Sequence, residues 1–167
     1  NGKYYAIDNT IEEMSDCINT VFDGRPMKMV KGYYEHVVDV ALQRKPDILG
    51  HFDLVRKLNK NDCLFDESSP EYQKIALEAL EACASSGCII EVNTGAMSRG
   101  YTDTPYPSFF LLQRLAQLKA PVIISSDSHS VRTIDYYFME TVEILKKAGF
   151  KSVRELCFGG FKEIPLA

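Results

Sequence analysis

Two short stretches of this chain end in side chains that could share a cation. Pro121 to His129 reads Pro-Val-Ile-Ile-Ser-Ser-Asp-Ser-His, and Asp47 to Asp53 reads Asp-Ile-Leu-Gly-His-Phe-Asp. In each, an apolar run too short for a helix reads as a buried strand and then gives way to carboxylate and imidazole. Residues two apart on an extended chain share one face. Asp127 and His129 therefore reach the same point if the extension persists, and Asp53 lies on the face of His51 by the same rule. Carboxylate and imidazole together suit a divalent metal such as zinc or manganese. Two plainer readings stand beside this one: Ser125 to Ser130 as a polar turn capping the next helix, and His51 as a histidine serving only local hydrogen bonds.

Other candidates lie between and after these stretches. Cys88 to Thr94 reads as a strand with Glu91 in its interior and Asn93 at its end. A charge inside a sheet is costly unless paired, so Glu91 either supports a polar site or sits on an exposed strand edge. Thr94 to Pro107 is punctuated by Gly95, Gly100 and Pro105 and reads as a functional loop. Within it Arg99 could clamp an anion with its planar fork of donors, or simply be solvated. Arg56 and Lys57 follow His51 in their own loop.

The elements that must position these groups alternate. Asn9 with Glu12 suggests a capped helix through Ile11, Met14, Ile18 and Val21, preceded by a short strand-like Tyr4 to Ile7. A second helix runs from Pro26 toward Lys45 and stops at Pro46. Ser69 and Pro70 open a third, ending near Gly87. A fourth starts at Pro107 and Ser108 with Phe109, Leu112 and Leu115 inward. The next begins at Thr133 or Asp135 and ends at Gly149. Ser152 would cap a short last helix, with Phe158 to Leu166 as a closing strand. Strands alternating with helices argue for parallel strands joined by helical crossovers, with active sites at the carboxyl ends of the strands.

The totals narrow the function classes. At 167 residues, 46% hydrophobic and 25% charged, the chain suits one globular domain with a real core. A net charge of -4 without a basic block argues against a nucleic-acid surface, and no apolar run approaches the ~20 residues of a membrane span. Five cysteines, odd in number and without a C-x-x-C pair, read as reduced thiols of a cytoplasmic protein. No glycine-rich phosphate loop or G-x-S-x-G elbow is present.

Gly-His-Phe-Asp-Leu at 50 to 54, Ile-Glu-Val-Asn-Thr at 90 to 94 and Ser-Asp-Ser-His at 126 to 129 resemble, at these separations, the later motifs of the PHP superfamily. More narrowly the resemblance is to its histidinol phosphatases, and it covers nearly the whole chain. It implies an α/β fold, a distorted (β/α)7 TIM-like barrel of the PHP type, here incomplete. It also implies up to three divalent metal ions, zinc, manganese or iron, and hydrolysis of a phosphate monoester, histidinol phosphate, late in histidine biosynthesis. Carried over by motif, His51, Asp127 and His129 become metal ligands, with Asp127 and His129 at the centre of the chemistry. Arg99, Arg56, Glu91 and Asn93 become substrate contacts. The N-terminal His-x-His motif of that family is absent; there are three histidines in all, and His36 sits mid-helix with a structural role. The expectation is therefore that residues 1 to 167 are the C-terminal part of a single PHP-type domain, completed by an N-terminal segment, by self-association or by a partner segment. Two rivals remain open: another PHP or amidohydrolase-like metal hydrolase, and a fragment that is inactive or serves as an interaction module.

Overall fold

Residues 4–166 are described by a computed structural model. The first helix, α1 (Ile11–Val21), starts one residue later than Asn9 suggests. Thr10 is the N-cap: its hydroxyl accepts the Glu13 N–H at 3.1 Å, while Glu13 reaches back to the Ala6 N–H at 3.0 Å and the Asn9 amide at 2.8 Å. The Thr10 hydroxyl satisfies one orphan amide of the first turn, Glu13 ties the preceding Ala6 and Asn9 to the helix, and Met14 and Ile18 face inward. Tyr4 to Ile7 forms no strand; the Tyr5 hydroxyl instead donates to Asp16 at 3.1 Å.

Pro at the first position opens both α2 (Pro26–Asp39) and α3 (Pro70–Ser85), where its missing N–H costs nothing. Ser69 accepts the Tyr72 N–H at 3.2 Å and caps α3 as its sequence suggests. A wide π-turn over Val40–Arg44 extends α2, and Lys45, at φ 47°, breaks it before Pro46. The strands are β1 (Ile48–Leu49), β2 (Ile89–Asn93), β3 (Val122–Ser125), β4 (Ser152–Cys157) and β5 (Gly160–Pro165). They lie in the sheet in sequence order. The first four are mutually parallel, with Ile90 opposite Val122 and Asn93 opposite Ser125. Crossovers run through α3, then through α4 (Gly95–Ser98) and α5 (Phe109–Gln117), then through α6 (Phe138–Ala148).

The C-terminus departs from the sequence reading. Ser152 opens β4 rather than capping a helix, and β5 returns antiparallel to it with Cys157 opposite Gly160. Gly159 and Gly160, at φ 94° and 123°, allow the two-residue loop that joins them, so hairpin chemistry outweighs the weak cap signal. α6 also begins late: Val131–Thr133 is a 3-10 turn capped by Ser130, and Tyr137, at φ 62°, turns the chain into Phe138. In α5, Leu111, Leu112 and Leu115 are fully buried while Phe109 is exposed.

The core gathers Leu80, Ile90, Leu111, Leu115, Val122 and Leu145 between sheet and helices. Each such side chain stabilises the fold by about 1.5–3 kcal/mol on burial. Burial pushes the Cys83 thiol up to about 12, and Cys63, Cys83, Cys88 and Cys157 are free thiols. Among the described residues no helix is long and apolar enough to cross a membrane.

Candidate functional site

Because β1, β2 and β3 run parallel, their carboxyl ends share one rim. His51 follows β1, Asn93 ends β2 with Glu91 behind it, and Asp127 follows β3. The approach is not by extended chain, as the spacing suggests. His51 and Asp127 adopt φ 56° and 45°, left-handed conformations that non-glycine residues enter only where the surroundings hold them. These two kinks aim the side chains at each other across β2: His51 Nε2 lies 3.5 Å from Asp127 Oδ2. The kink at His51 also sends Asp53 off the shared face and into the interior, where it is fully buried.

Glu91 orients the imidazole. Its Oε2 accepts the His51 backbone N–H at 3.0 Å and lies 3.5 Å from His51 Nδ1. Its strand has a neighbour on each side and its side chain is 12% exposed, which removes the exposed-edge reading. The same carboxylate explains Gly50: a Cβ there would stand 3.1 Å from Glu91 Oε2.

Arg99 leaves the end of α4 and reaches across to the loop after β3. Its guanidinium donates to Asp127 Oδ2 and to the Asp127 backbone oxygen, both at 3.0 Å, and lies 3.3 Å from His129 Nδ1. Burial alone would raise the Asp127 pKa; the hydrogen bond and charge of Arg99, together with His51, outweigh it and hold the carboxyl below the usual range. His129 Nδ1 is 3.0 Å from the Asp127 carbonyl. The Asp127 carbonyl only accepts and the Arg99 guanidinium only donates, so the two contacts at Nδ1 call for opposite tautomers of His129. The tight meeting of α4 with the 125–129 loop requires Gly95, where a Cβ would lie 2.7 Å from the Ser126 oxygen and 2.9 Å from Asp127 Cβ.

A cavity of about 410 Å³ joins His51, Asn93, Arg99, Asp127 and His129. Asp8, Lys57, Tyr101 and Tyr106 line it too, and the sequence reading assigned none of them to the site. Asn93 is buried, accepts the Gly95 N–H at 2.8 Å, and keeps its Nδ2 donor unpartnered among the described residues. Arg56 takes another place. It donates to Asp53 at 3.1 Å and to Glu67, faces the Tyr106 ring at 5.9 Å, and lines a separate cavity of about 260 Å³. Asp53 in turn accepts the Ser108 N–H at 2.8 Å, which ties the His51 loop to the start of α5. His36 is exposed on α2 and lines, with Gly50 and His51, a separate apolar groove rather than the cavity of Asp127 and His129. Among the described residues no three His, Cys, Asp or Glu side chains converge as a metal-holding group.

No family model matches the chain. It is similar to histidinol-phosphatases. It is 28% identical over 130 residues to "Probable histidinol-phosphatase" of Schizosaccharomyces pombe, covering 77% of this chain and 42% of that protein. It is 26% identical over 114 residues to "Histidinol-phosphatase" of Bacillus subtilis, covering 68% and 41%. The protein of that name from Saccharomyces cerevisiae is 26% identical over 123 residues, covering 61% and 36%. The chain thus spans about two fifths of the length of the curated relatives it matches. These likenesses support a phosphatase relationship at modest identity.

Proposed function

We propose that this chain forms part of a metal-dependent phosphate monoester hydrolase acting on histidinol phosphate, with His51, Asp127 and His129 as ligands of a divalent cation. The observation that carries this reading is the facing of His51 Nε2 and Asp127 Oδ2 at 3.5 Å, with Glu91 behind Nδ1. When the Nδ1 proton is turned to Glu91, Nε2 and the Asp127 carboxylate present lone pairs to each other, an arrangement that a cation between them would satisfy. Ligand bonds of about 2.1 Å at a tetrahedral angle set donors roughly 3.4 Å apart, so the separation fits zinc, and manganese or iron with small adjustment. His129 stands beside this pair, against the Asp127 carbonyl and Arg99, and joins the ligand set only if its side chain turns toward the cation.

When bound, the cation supplies Lewis-acid polarisation of a phosphoryl oxygen. The chain's own residues do the remaining work. Glu91 holds the His51 ring in one orientation. Arg99 carries the planar donor fork that matches two phosphoryl oxygens, and it already spans the rim between Asp127 and His129. Asn93 offers its unpartnered Nδ2 at the cavity wall. Arg56, with its donors engaged by Asp53 and Glu67, shapes that wall through Tyr106.

The sheet supports a further part of the reading, that these strands belong to a distorted (β/α)7 barrel. Successive parallel strands lie side by side in sequence order, whereas a doubly wound sheet reverses direction at a switch point. β1 has no partner on its outer edge among the described residues, and an apolar groove of about 470 Å³ runs beside it past Phe22, Met29, Val37 and Leu49. Further strands would continue the barrel there. Phosphate release from histidinol phosphate, with and without added zinc or manganese, tests the whole reading. Metal-dependent turnover is expected, falling at least about a hundredfold in His51→Ala and His129→Ala with an unchanged circular dichroism spectrum. Cleavage of phosphodiesters or amides in place of histidinol phosphate would assign the rim to a different metal hydrolase.

A further inference from the structure

The loop after His51 carries two adjacent cations, Arg56 and Lys57, and the fold gives them opposite fates. Arg56 turns inward, where Asp53 and Glu67 take its donors. Lys57 turns to the 410 Å³ cavity that holds His51, Asp127, His129 and Arg99. We propose that Lys57 is a second cationic anchor for the phosphoryl group, acting beside Arg99, and that Asp8 and Tyr101 hold it ready. This rests on the phosphatase reading above and adds a residue to it.

Three observations carry the assignment. First, the Lys57 ammonium donates to the Asp8 backbone oxygen at 2.8 Å and at longer range to the Asp8 carboxylate, so one of its three N–H groups remains for a ligand. Second, the Asp8 carboxylate is 3.5 Å away, longer than the ~2.7–2.9 Å of a strong charge-assisted bond. The carboxylate holds the cation in place without consuming it. Third, the ammonium stands 5.0 Å above the Tyr101 ring, and its side chain is only 16% exposed. A partly desolvated cation, positioned on an aromatic face, attracts an anion more strongly than one in bulk water.

Calorimetric titration of the zinc-loaded protein with inorganic phosphate, and of the metal-free protein with histidinol phosphate so that no turnover occurs, tests this. Lys57→Met is expected to weaken both ligands about tenfold, with Lys57→Arg restoring most of the affinity, because the loss is of one charged donor to phosphate. Histidinol phosphate is also expected to slow acetylation of Lys57, read by mass spectrometry on the unmutated protein. That second measurement decides the matter if Lys57→Met does not fold. Equal binding by Lys57→Met and the parent protein, with loss in Arg99→Met, would overturn the role of Lys57 and leave the phosphatase reading standing. Acetylation of Lys57 at the same rate with and without ligand would overturn it too. No binding of either phosphate by the unmutated protein would remove both.

Discussion

Two aspartate–arginine pairs of almost equal length lie in the loops beyond the sheet and behave differently. Asp53 and Arg56 meet at 3.1 Å with side chains 0% and 14% exposed; Asp127 and Arg99 meet at 3.0 Å with 28% and 34%. Burial raises the Asp53 pKa despite Arg56 and the Ser108 N–H, whereas Arg99 and His51 overcome a smaller burial and lower that of Asp127. One pair is locked in the interior and fixes where two loops meet. The other stays partly open to solvent at the cavity, where the proposed function needs it to meet a cation and an anion. Burial, not the identity of the pair, separates architecture from chemistry.

The largest test of this contrast is Arg56→Met. It removes the cation shared by the buried Asp53 and by Glu67, and is expected to cost about 3–5 kcal/mol in urea unfolding. Arg99→Met is expected to cost less than ~1 kcal/mol, and equal losses would erase the distinction. Next in size is Glu91→Gln, which keeps an acceptor for the His51 N–H but removes the charge behind the ring. Zinc or manganese affinity by titration should fall about 10–100-fold while the unfolding midpoint hardly moves. Gly95→Ala comes third. The added methyl presses on the Ser126 oxygen and on Asp127, so a loss of about 1–3 kcal/mol, with weaker metal binding than its stability loss explains, is expected.

The smallest effect is in the pH dependence of stability. For Asp127, whose folded-state pKa is lowered, the stabilisation is complete above the ordinary carboxylate value and is lost as pH falls through the depressed one. Asp53 has the opposite sign: its carboxyl is raised, so the fold loses stability as pH climbs from the ordinary value toward the raised one. Arg99→Met should therefore lie below the parent protein at neutral pH and converge with it in acid, by urea titration across pH. A constant offset would place the Arg99 contribution elsewhere.

Much of the scaffold was legible from residue order. β2, β3 and α3 with its Ser69 cap stand where their apolar runs and punctuation put them, because strong local signals agree there with burial. The terminal hairpin was not, since a serine that could cap a helix is also acceptable at a strand start, and the pairing of β4 with β3 and β5 decides. The start of α6 was hidden for the same reason: Ser130 caps a single 3-10 turn instead.

In the candidate site, residue types and their place in or near strand ends singled out His51, Glu91, Arg99, Asp127 and His129 as candidates, and the fold brings His51, Arg99, Asp127 and His129 to one cavity. They follow from chemistry that is scarce in short apolar surroundings. Which of these point at one another depended on the left-handed turns at His51 and Asp127, which an assumed extended chain could not show. The fates of Asp53, Arg56 and Lys57 likewise came only from the fold. Neighbouring charges are alike in sequence, and only packing determines which cavity each one faces and which carboxylates hold it.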